Sequence, residues 1–313
     1  MRAMIERGLC LGNVQPGHGL NISISAGQTI LTERNVAFDL TLLTAAKGHG
    51  CRFVHDLDDL LWAIPLDNPN VDFFTPKILE TMSAHMAACD ALTVSTERLA
   101  SELHRRGFQA AVVPNVLEPR DWLVQPRRTS RSRLRVGWYG QYAVHVSDLA
   151  LLSAIVRELV DELDFVFLGD RPAGLGDLDA RIEYHAAVPL SMFPAMLAAL
   201  DLDLVLAPLA HNAFNESKSS LPILQAGMLG YAVIASAIEP YYGIPVTCVP
   251  NVPALWIAAI RERAHDRSSL QCEGETLRRF VHGSLLVDAW LDRYLAIWTG
   301  STSAKHAPEP TFV

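Results

Sequence analysis

Leu134-Arg135-Val136-Gly137-Trp138-Tyr139-Gly140 is a short apolar run that ends in a glycine turn. Ser147 follows as the expected N-cap of an amphipathic stretch, Asp148 to Glu162, and Phe165 to Leu168 is a second apolar run. Runs of strand length alternating with stretches of helical period mark a parallel sheet with crossover helices. The pattern continues through expected strands at Arg181 to His185, Leu204 to Pro208 and Ala232 to Ser236. Between them, Ser191 to Leu200 and Lys218 to Leu229 read as helices, the second closed by Gly230. The fold class is therefore α/β, and this half has the outline of a doubly wound nucleotide-binding domain.

Toward the N-terminus the same alternation gives strands at Cys51 to Asp56, Ala91 to Ser95 and Ala110 to Pro114. The intervening helices are Pro76 to Cys89 and Thr96 to Arg106, with Gly107 suited to a left-handed C-terminal cap. Residues 1–35 carry several glycines and no firm periodicity. Between the halves, Glu118 to Arg135 holds Pro119, Pro126 and the arginines 120, 127, 128, 131, 133 and 135, a composition typical of a linker. The chain is thus divided into a domain at 1–118, a linker at 119–133, a domain at 134–280 and a final helix at 281–300. Trp290, Tyr294 and Trp298 recur on that helix at a spacing of four, which reads as packing.

Composition agrees with two folded domains: 313 residues, 50% hydrophobic and 19% charged. That balance excludes intrinsic disorder. No apolar run reaches the ~18 residues of a membrane-spanning helix, so a cytoplasmic location is expected. A formal charge of -8 argues against a nucleic-acid partner, which needs a basic face. The five cysteines are scattered without a C-x-x-C pair and read as reduced, mostly buried thiols.

Three constellations could carry chemistry. In the first, Gly140 and Gln141 lead toward a helix N-terminus whose free N–H groups and positive dipole end suit a pyrophosphate. His145 there reads either as a donor to a phosphate or sugar oxygen or as an ordinary loop histidine. The second is Asn215-Glu216-Ser217-Lys218-Ser219-Ser220 at the expected carboxyl edge of a strand. Lys218, expected to open the helix, could hold an anion together with the backbone of Ser219 and Ser220, and Gln225 would lie near the same face two turns on. The third is Asp56-Leu57-Asp58-Asp59. These acids read as a D-x-D metal chelator between nucleotide phosphates, as caps of the next helix, or as acceptors of hydroxyl hydrogen bonds.

Taken in order, these segments resemble the GT-B glycosyltransferases of the large group often called glycosyl transferases group 1. The resemblance rests on Asp56-Leu57-Asp58-Asp59, on Thr93 to Ala100 (T-V-S-T-E-R-L-A) and on Val112-Val113-Pro114-Asn115. It continues through Gly137 to Gly140 with His145-Val146-Ser147-Asp148-Leu149, and through Asn215 to Ser219 with Val233-Ile234-Ala235-Ser236. Bacterial surface-polysaccharide members share this order. The resemblance implies two Rossmann-like domains facing a cleft, a final helix crossing back to the first domain, and retaining transfer of a hexosyl group from a nucleotide-sugar to an acceptor hydroxyl.

It implies His145 and Lys218 as catalytic residues, and Gly140, Gln141, Asn215, Ser219, Ser220 and Gln225 around the donor. Asp56, Asp58 and Asp59 would stand on the acceptor side, with a glycan or lipid-linked acceptor, no essential metal, and peripheral contact with the inner membrane through the arginine-rich linker. The chain departs from the family in two places. Gln225 stands where the family usually has a glutamate, and the first domain is shortened before Asp56. Both departures motivate a second expectation, a catalytically inactive relative that binds a partner or glycan.

Overall fold

The computed structural model describes residues 27–34, 39–140, 146–170 and 172–301. The first half forms strands β1 (Thr29–Glu33), β2 (Arg52–Leu57), β3 (Ala91–Val94) and β4 (Ala111–Val112), with helices α1 (Leu40–Gly48), α2 (Pro76–Ala88) and α3 (Glu97–His104). These four strands make one parallel sheet in the order β1-β2-β3-β4. Strand β2 shows why the sheet is covered on both faces. Phe53 and Leu57 pack on the helical side, against Leu43 of α1 and Met82 and Met86 of α2 respectively. Val54 packs on the other side, against Trp298 near the C-terminus. Side chains alternate along a strand, so Asp56 and Asp58 share the face of Val54.

The second half contributes β5 (Arg135–Gly140), α4 (Val146–Leu159), β6 (Asp164–Gly169), β7 (Ile182–Ala186), α5 (Phe193–Ala199), β8 (Leu204–Ala207), α6 (Ala213–Glu216), α7 (Leu221–Met228), β9 (Ala232–Ser236), β10 (Thr247–Val249), α8 (Pro253–His265), α9 (Arg267–Ser284) and α10 (Val287–Thr299). Its six parallel strands run β10-β9-β8-β5-β6-β7. The chain winds outward from β5 to β7 and returns to β8 on the other side of β5. The carboxyl ends of β5 and β8 therefore flank a crevice, the place where such sheets bind ligands. Gly140 and Gly169 face each other across this edge. Gly169 has φ +104°, and a Cβ there would collide with the Gly140 carbonyl oxygen, so the sheet edge closes only with glycine at this point.

Several sequence expectations are corrected. Strand β1 and helix α1 lie in the stretch that showed little periodicity. Helix α4 begins at Val146, so Ser147 sits inside its first turn, where its hydroxyl donates to Asp67 of the first half. The expected helix at 281–300 is two helices broken at Leu285-Leu286, because Leu117 pairs there: its N–H donates to the Leu285 carbonyl at 3.0 Å and its carbonyl accepts from Val287 N–H at 3.0 Å. Of the cysteines among the described residues, Cys51 is buried, Cys89 and Cys248 are partly covered and Cys272 is exposed.

Helix α10 crosses back to the first sheet. Arg52 caps its C-terminal carbonyls through Nε to Trp298 O at 3.0 Å and a terminal nitrogen to Ile297 O at 3.1 Å. Tyr294 Oη donates to Pro114 O at 2.8 Å. The aromatic stripe is packing, with Trp290 and Trp298 buried and Tyr294 meeting Trp298 edge to face. Five of the six linker arginines have partners within the chain. Arg128 reaches the carbonyls of Leu229 and Gly230 at 2.7 Å and lies over the Tyr231 ring, while Arg131 pairs with Asp201 at 3.0 Å. Arg120 pairs with Glu118, Arg133 with Asp164 and Arg135 with Glu183.

Candidate active site

The loop between β8 and α7 forms one wall of the crevice, and its shape follows from a closed set of hydrogen bonds. Leu209 N–H donates to Ser236 Oγ at 2.8 Å, and Asn251 Nδ2 donates to Leu209 O at 2.6 Å. Asp148, buried on the first turn of α4, accepts from Ala210 N–H at 2.6 Å and from Asn215 Nδ2 at 2.7 Å. Asn215 Nδ2 also donates to Ala210 O at 2.9 Å, and Asn212 caps α6 by accepting from Asn215 N–H at 2.8 Å. Asn215 is therefore beneath the loop, with its amide hydrogens already engaged.

Lys218 does not open a helix. It lies in the turn between α6 and α7, with Ser220 as the N-cap residue of α7, so the same-face relation to Gln225 does not hold. Its ammonium sits 4.7 Å from the centre of the Phe214 ring. Burial pulls its pKa below the ordinary lysine value, and the negative charges of Asp148 and Asp59 oppose that shift. The cation is thus desolvated and stands between acids of both halves. Next to it, Ser220 makes no side-chain capping bond at the N-terminus of α7, and Tyr139 of β5 donates through its hydroxyl to the Pro222 carbonyl in the first turn. Gln225 is half-buried on α7. A small recess beside them is lined by Tyr139, Asp148, Leu209, Pro222 and Tyr241.

A second cavity lies on the first sheet. Asp56 and Asp58, with Glu33, Arg34, Asn115 and Tyr294, line a cavity of about 390 Å³. Thr93 donates to Asp56. Burial, and then the charge of Asp58, raise the Asp56 carboxyl to about 7. Burial and the charge of Asp59 likewise raise Asp58, partly offset by Arg34 and by a hydrogen bond from Asn115. Asp59 turns to Arg34, 3.6 Å away. None of the three acids caps the short helical turn Leu61–Ala63, whose N-cap residue is Leu60 without a side-chain bond.

The two halves are joined by residues to which sequence reasoning gave no role. Thr96 Oγ1 donates to Ser217 O at 2.8 Å, Arg98 pairs with Glu216 at 3.1 Å, and Asn115 Nδ2 donates to Ser219 Oγ at 3.0 Å. Thr96, Arg98 and Asn115 lie within motifs quoted above, and their position at strand and helix ends was the available signal. His145 and Gln141 lie outside the described residues.

No family model and no curated protein sequence matches the chain. Solved structures do. The sucrose-phosphate synthase of Thermosynechococcus elongatus superposes with TM-score 0.66 at 14% identity, covering 84% of this chain and 71% of that one. HepE of Anabaena in complex with UDP and glucose gives 0.62 at 14%, covering 82% and 73%. TarM of S. aureus gives 0.60 at 12%, and here the chain covers 80% of its own length but only 50% of TarM. These likenesses show a GT-B fold.

Proposed function

We propose that this chain is a glycosyltransferase that moves a sugar from a nucleotide-sugar to an acceptor hydroxyl. The observation that carries the reading is the half-buried Lys218 ammonium in the loop between β8 and α7, in the field of Asp148 from its own half and of Asp59 from the other. Such a cation, beside the free N-terminus of α7, suits the diphosphate that departs with negative charge as the anomeric carbon becomes cation-like. Ser219, Ser220 and the backbone at Gly140 complete the donor side, with Gln225 toward the ribose and His145 toward the sugar. In the reaction the anomeric carbon–phosphate oxygen bond breaks, the acceptor oxygen bonds to that carbon, and the acceptor's proton passes to the departing diphosphate oxygen. Asp56 and Asp58 accept hydrogen bonds from the acceptor hydroxyl in the cavity, and Asp59 supports Lys218.

The ordered motifs support retaining hexosyl transfer onto a glycan or lipid-linked acceptor in bacterial surface-polysaccharide assembly. HepE, which has been crystallised with UDP and with UDP-glucose, supports a uridine nucleotide as the first donor to test. Gln225 favours a second reading, a relative that binds the nucleotide-sugar without transferring it.

The test is calorimetric titration of the full chain with UDP, GDP, ADP and their sugar conjugates. Saturable binding of one base, lost in Lys218→Ala and largely kept in Asp58→Asn and in the presence of chelator, is expected. Unchanged affinity in Lys218→Ala refutes the site, and tight binding without turnover across an acceptor panel establishes the second reading.

A further inference from the structure

The cavity on the first sheet gathers more carboxylates than a neutral ligand needs. Glu33, Asp56, Asp58, Glu118 and Asp121 border it, and Arg34 is the one base among its described lining residues. Glu118 pairs with Arg120, and Arg34 turns to Asp59, which does not line the cavity. Strand register makes the crowding specific. Glu33 of β1 lies directly beside Asp56 of β2, and Asp58 follows two residues on, on the face that Asp56 shares with Val54. Like charges placed side by side on a sheet are destabilising. Thr93 supplies Asp56 with a neutral hydroxyl, not a cation.

The acids do not converge on a point: among the described residues no three His, Cys, Asp or Glu side chains are placed to hold a metal ion. Charge spread along a wall fits a cation carried on a larger molecule. Aromatic rings complete the boundary, Trp122 from the linker and Tyr294 and Trp298 from α10, the last two edge to face at 5.3 Å. Trp298 is 8% exposed, and its indole N–H is buried without an acceptor among the described residues. A buried donor left unpaired is costly, and the cavity that this ring borders is where a ligand oxygen can supply the acceptor. The volume of about 390 Å³ falls within the range of about 300–1,000 Å³ usual for small-molecule sites.

We propose that this cavity takes an amine-bearing sugar, its ammonium held by the Glu33 and Asp56 carboxylates and an oxygen of the sugar accepting from the Trp298 indole N–H. The inference rests on the glycosyltransferase reading above and names the chemical class of the acceptor. An ammonium has three N–H donors and no free electron pair, so it anchors the acceptor while a hydroxyl of the same sugar, beside Asp58, makes the new bond. The aromatic rings add to the attraction for a cation. An N-acetylated or plain sugar meets the same acids with no charge to offset theirs.

The experiment is a saturation-transfer NMR titration of the full chain at pH 7 with four probes: glucosamine, N-acetylglucosamine, glucose and n-butylamine. Wild type, Glu33→Gln and Trp298→Phe are compared. Glucosamine is expected to bind roughly 10-fold more tightly than either neutral sugar, the worth of one charge-assisted hydrogen bond. Glu33 is exposed at the end of β1, so Glu33→Gln should fold normally, and it should bring the three sugars within about 2-fold of one another. Trp298→Phe keeps a ring but lacks the N–H, and should weaken glucosamine by roughly 5-fold while leaving n-butylamine unchanged.

Equal binding of glucose and glucosamine, a preference that survives Glu33→Gln, or no binding of any probe overturns the proposal. Butylamine binding as tight as that of glucosamine overturns it too, because the sugar oxygens then contribute nothing. If Trp298→Phe does not fold, the four probes on wild type and Glu33→Gln decide alone. Nucleoside diphosphate titration of the same proteins separates the two readings. Donor binding without amine preference overturns this inference and leaves the proposed function standing, whereas amine preference in a chain that binds no nucleotide overturns the glycosyltransferase reading and leaves the ligand of the cavity in place.

Discussion

His55 and Asp56 are neighbours on β2 that point to opposite faces, and burial moves their pKa values in opposite directions. Burial and then the charge of His85 lower His55 to about 4, among Thr32 and His85 on the helical side. Burial raises Asp56 to about 7 on the cavity side. The stability consequences have opposite signs. Unfolded aspartate ionises near 3.8, so stability contributed by neutral Asp56 is present below that value and lost as pH rises toward about 7. Unfolded histidine protonates near 6.5, so stability contributed by neutral His55 is present above that value and lost as pH falls toward about 4. The wild-type curve is expected to look flat because the two trends offset. Asp56→Asn should be more stable than wild type at pH 8, by on the order of 1–3 kcal/mol given ~1.4 kcal/mol per pH unit, and should unmask a decline below pH 6.5. His55→Leu should instead unmask a decline from pH 4 to 7. Urea titrations at pH 5, 6.5 and 8 distinguish these curves, and parallel pH profiles in all three proteins would contradict the assignment.

At the level of elements, the loop from β8 to α7 depends on Asp148. Asp148→Ala removes the acceptor of two N–H groups, leaving Ala210 N–H and part of the Asn215 amide unsatisfied in a buried place. The expected cost is ~2–4 kcal/mol of stability, with loss of nucleoside diphosphate binding as the loop carrying Lys218 relaxes. Asp148→Asn keeps the carbonyl acceptor and should retain part of both, as measured by denaturation and calorimetry. The aspartate was visible in the sequence as part of the H-x-x-D-L motif, but its role was not, since its partners are 62 and 67 residues away. Strands β6, β8 and β9 were legible nearly to the residue because they are buried on both faces and read as continuous apolar runs. Edge strand β1 was not, because its largely exposed or half-exposed residues mask any alternation. Lys218 lies outside α7 because its N–H closes a turn on Asn215 O and the helix begins only at Leu221, a boundary that the polar run Lys218-Ser219-Ser220 does not mark by periodicity. The break at Leu285-Leu286 is set by the pairing of Leu117, and Gly283-Ser284 at the end of α9 is the signal in the sequence that points to it.

Across the whole molecule, α10 makes the first domain depend on the C-terminus. Trp298, 8% exposed, packs on Val54 at the centre of the first sheet, and it lines the acid cavity with Tyr294. The carbonyls at its end are held by Arg52 from β2, so the helix and the sheet cap each other. The donor crevice, by contrast, is built by β5, β8, α4 and α7, none of which touches Trp298 in its packing cluster. Trp298→Ala should therefore act on one half. A buried tryptophan cut to alanine costs about 3–5 kcal/mol, and here that loss falls on the sheet that carries Asp56 and Asp58. Nucleoside diphosphate affinity should stay within about 2-fold of wild type, because no donor-crevice residue packs in the Trp298 cluster, while acceptor-dependent turnover falls sharply and donor hydrolysis by water persists. Hydrogen exchange should show faster opening of β1 and β2 with β8 and β9 unchanged. If donor affinity collapsed together with turnover in a folded Trp298→Ala protein, the two halves would form a single cooperative unit, and the crevice would depend on the crossing helix for its own geometry.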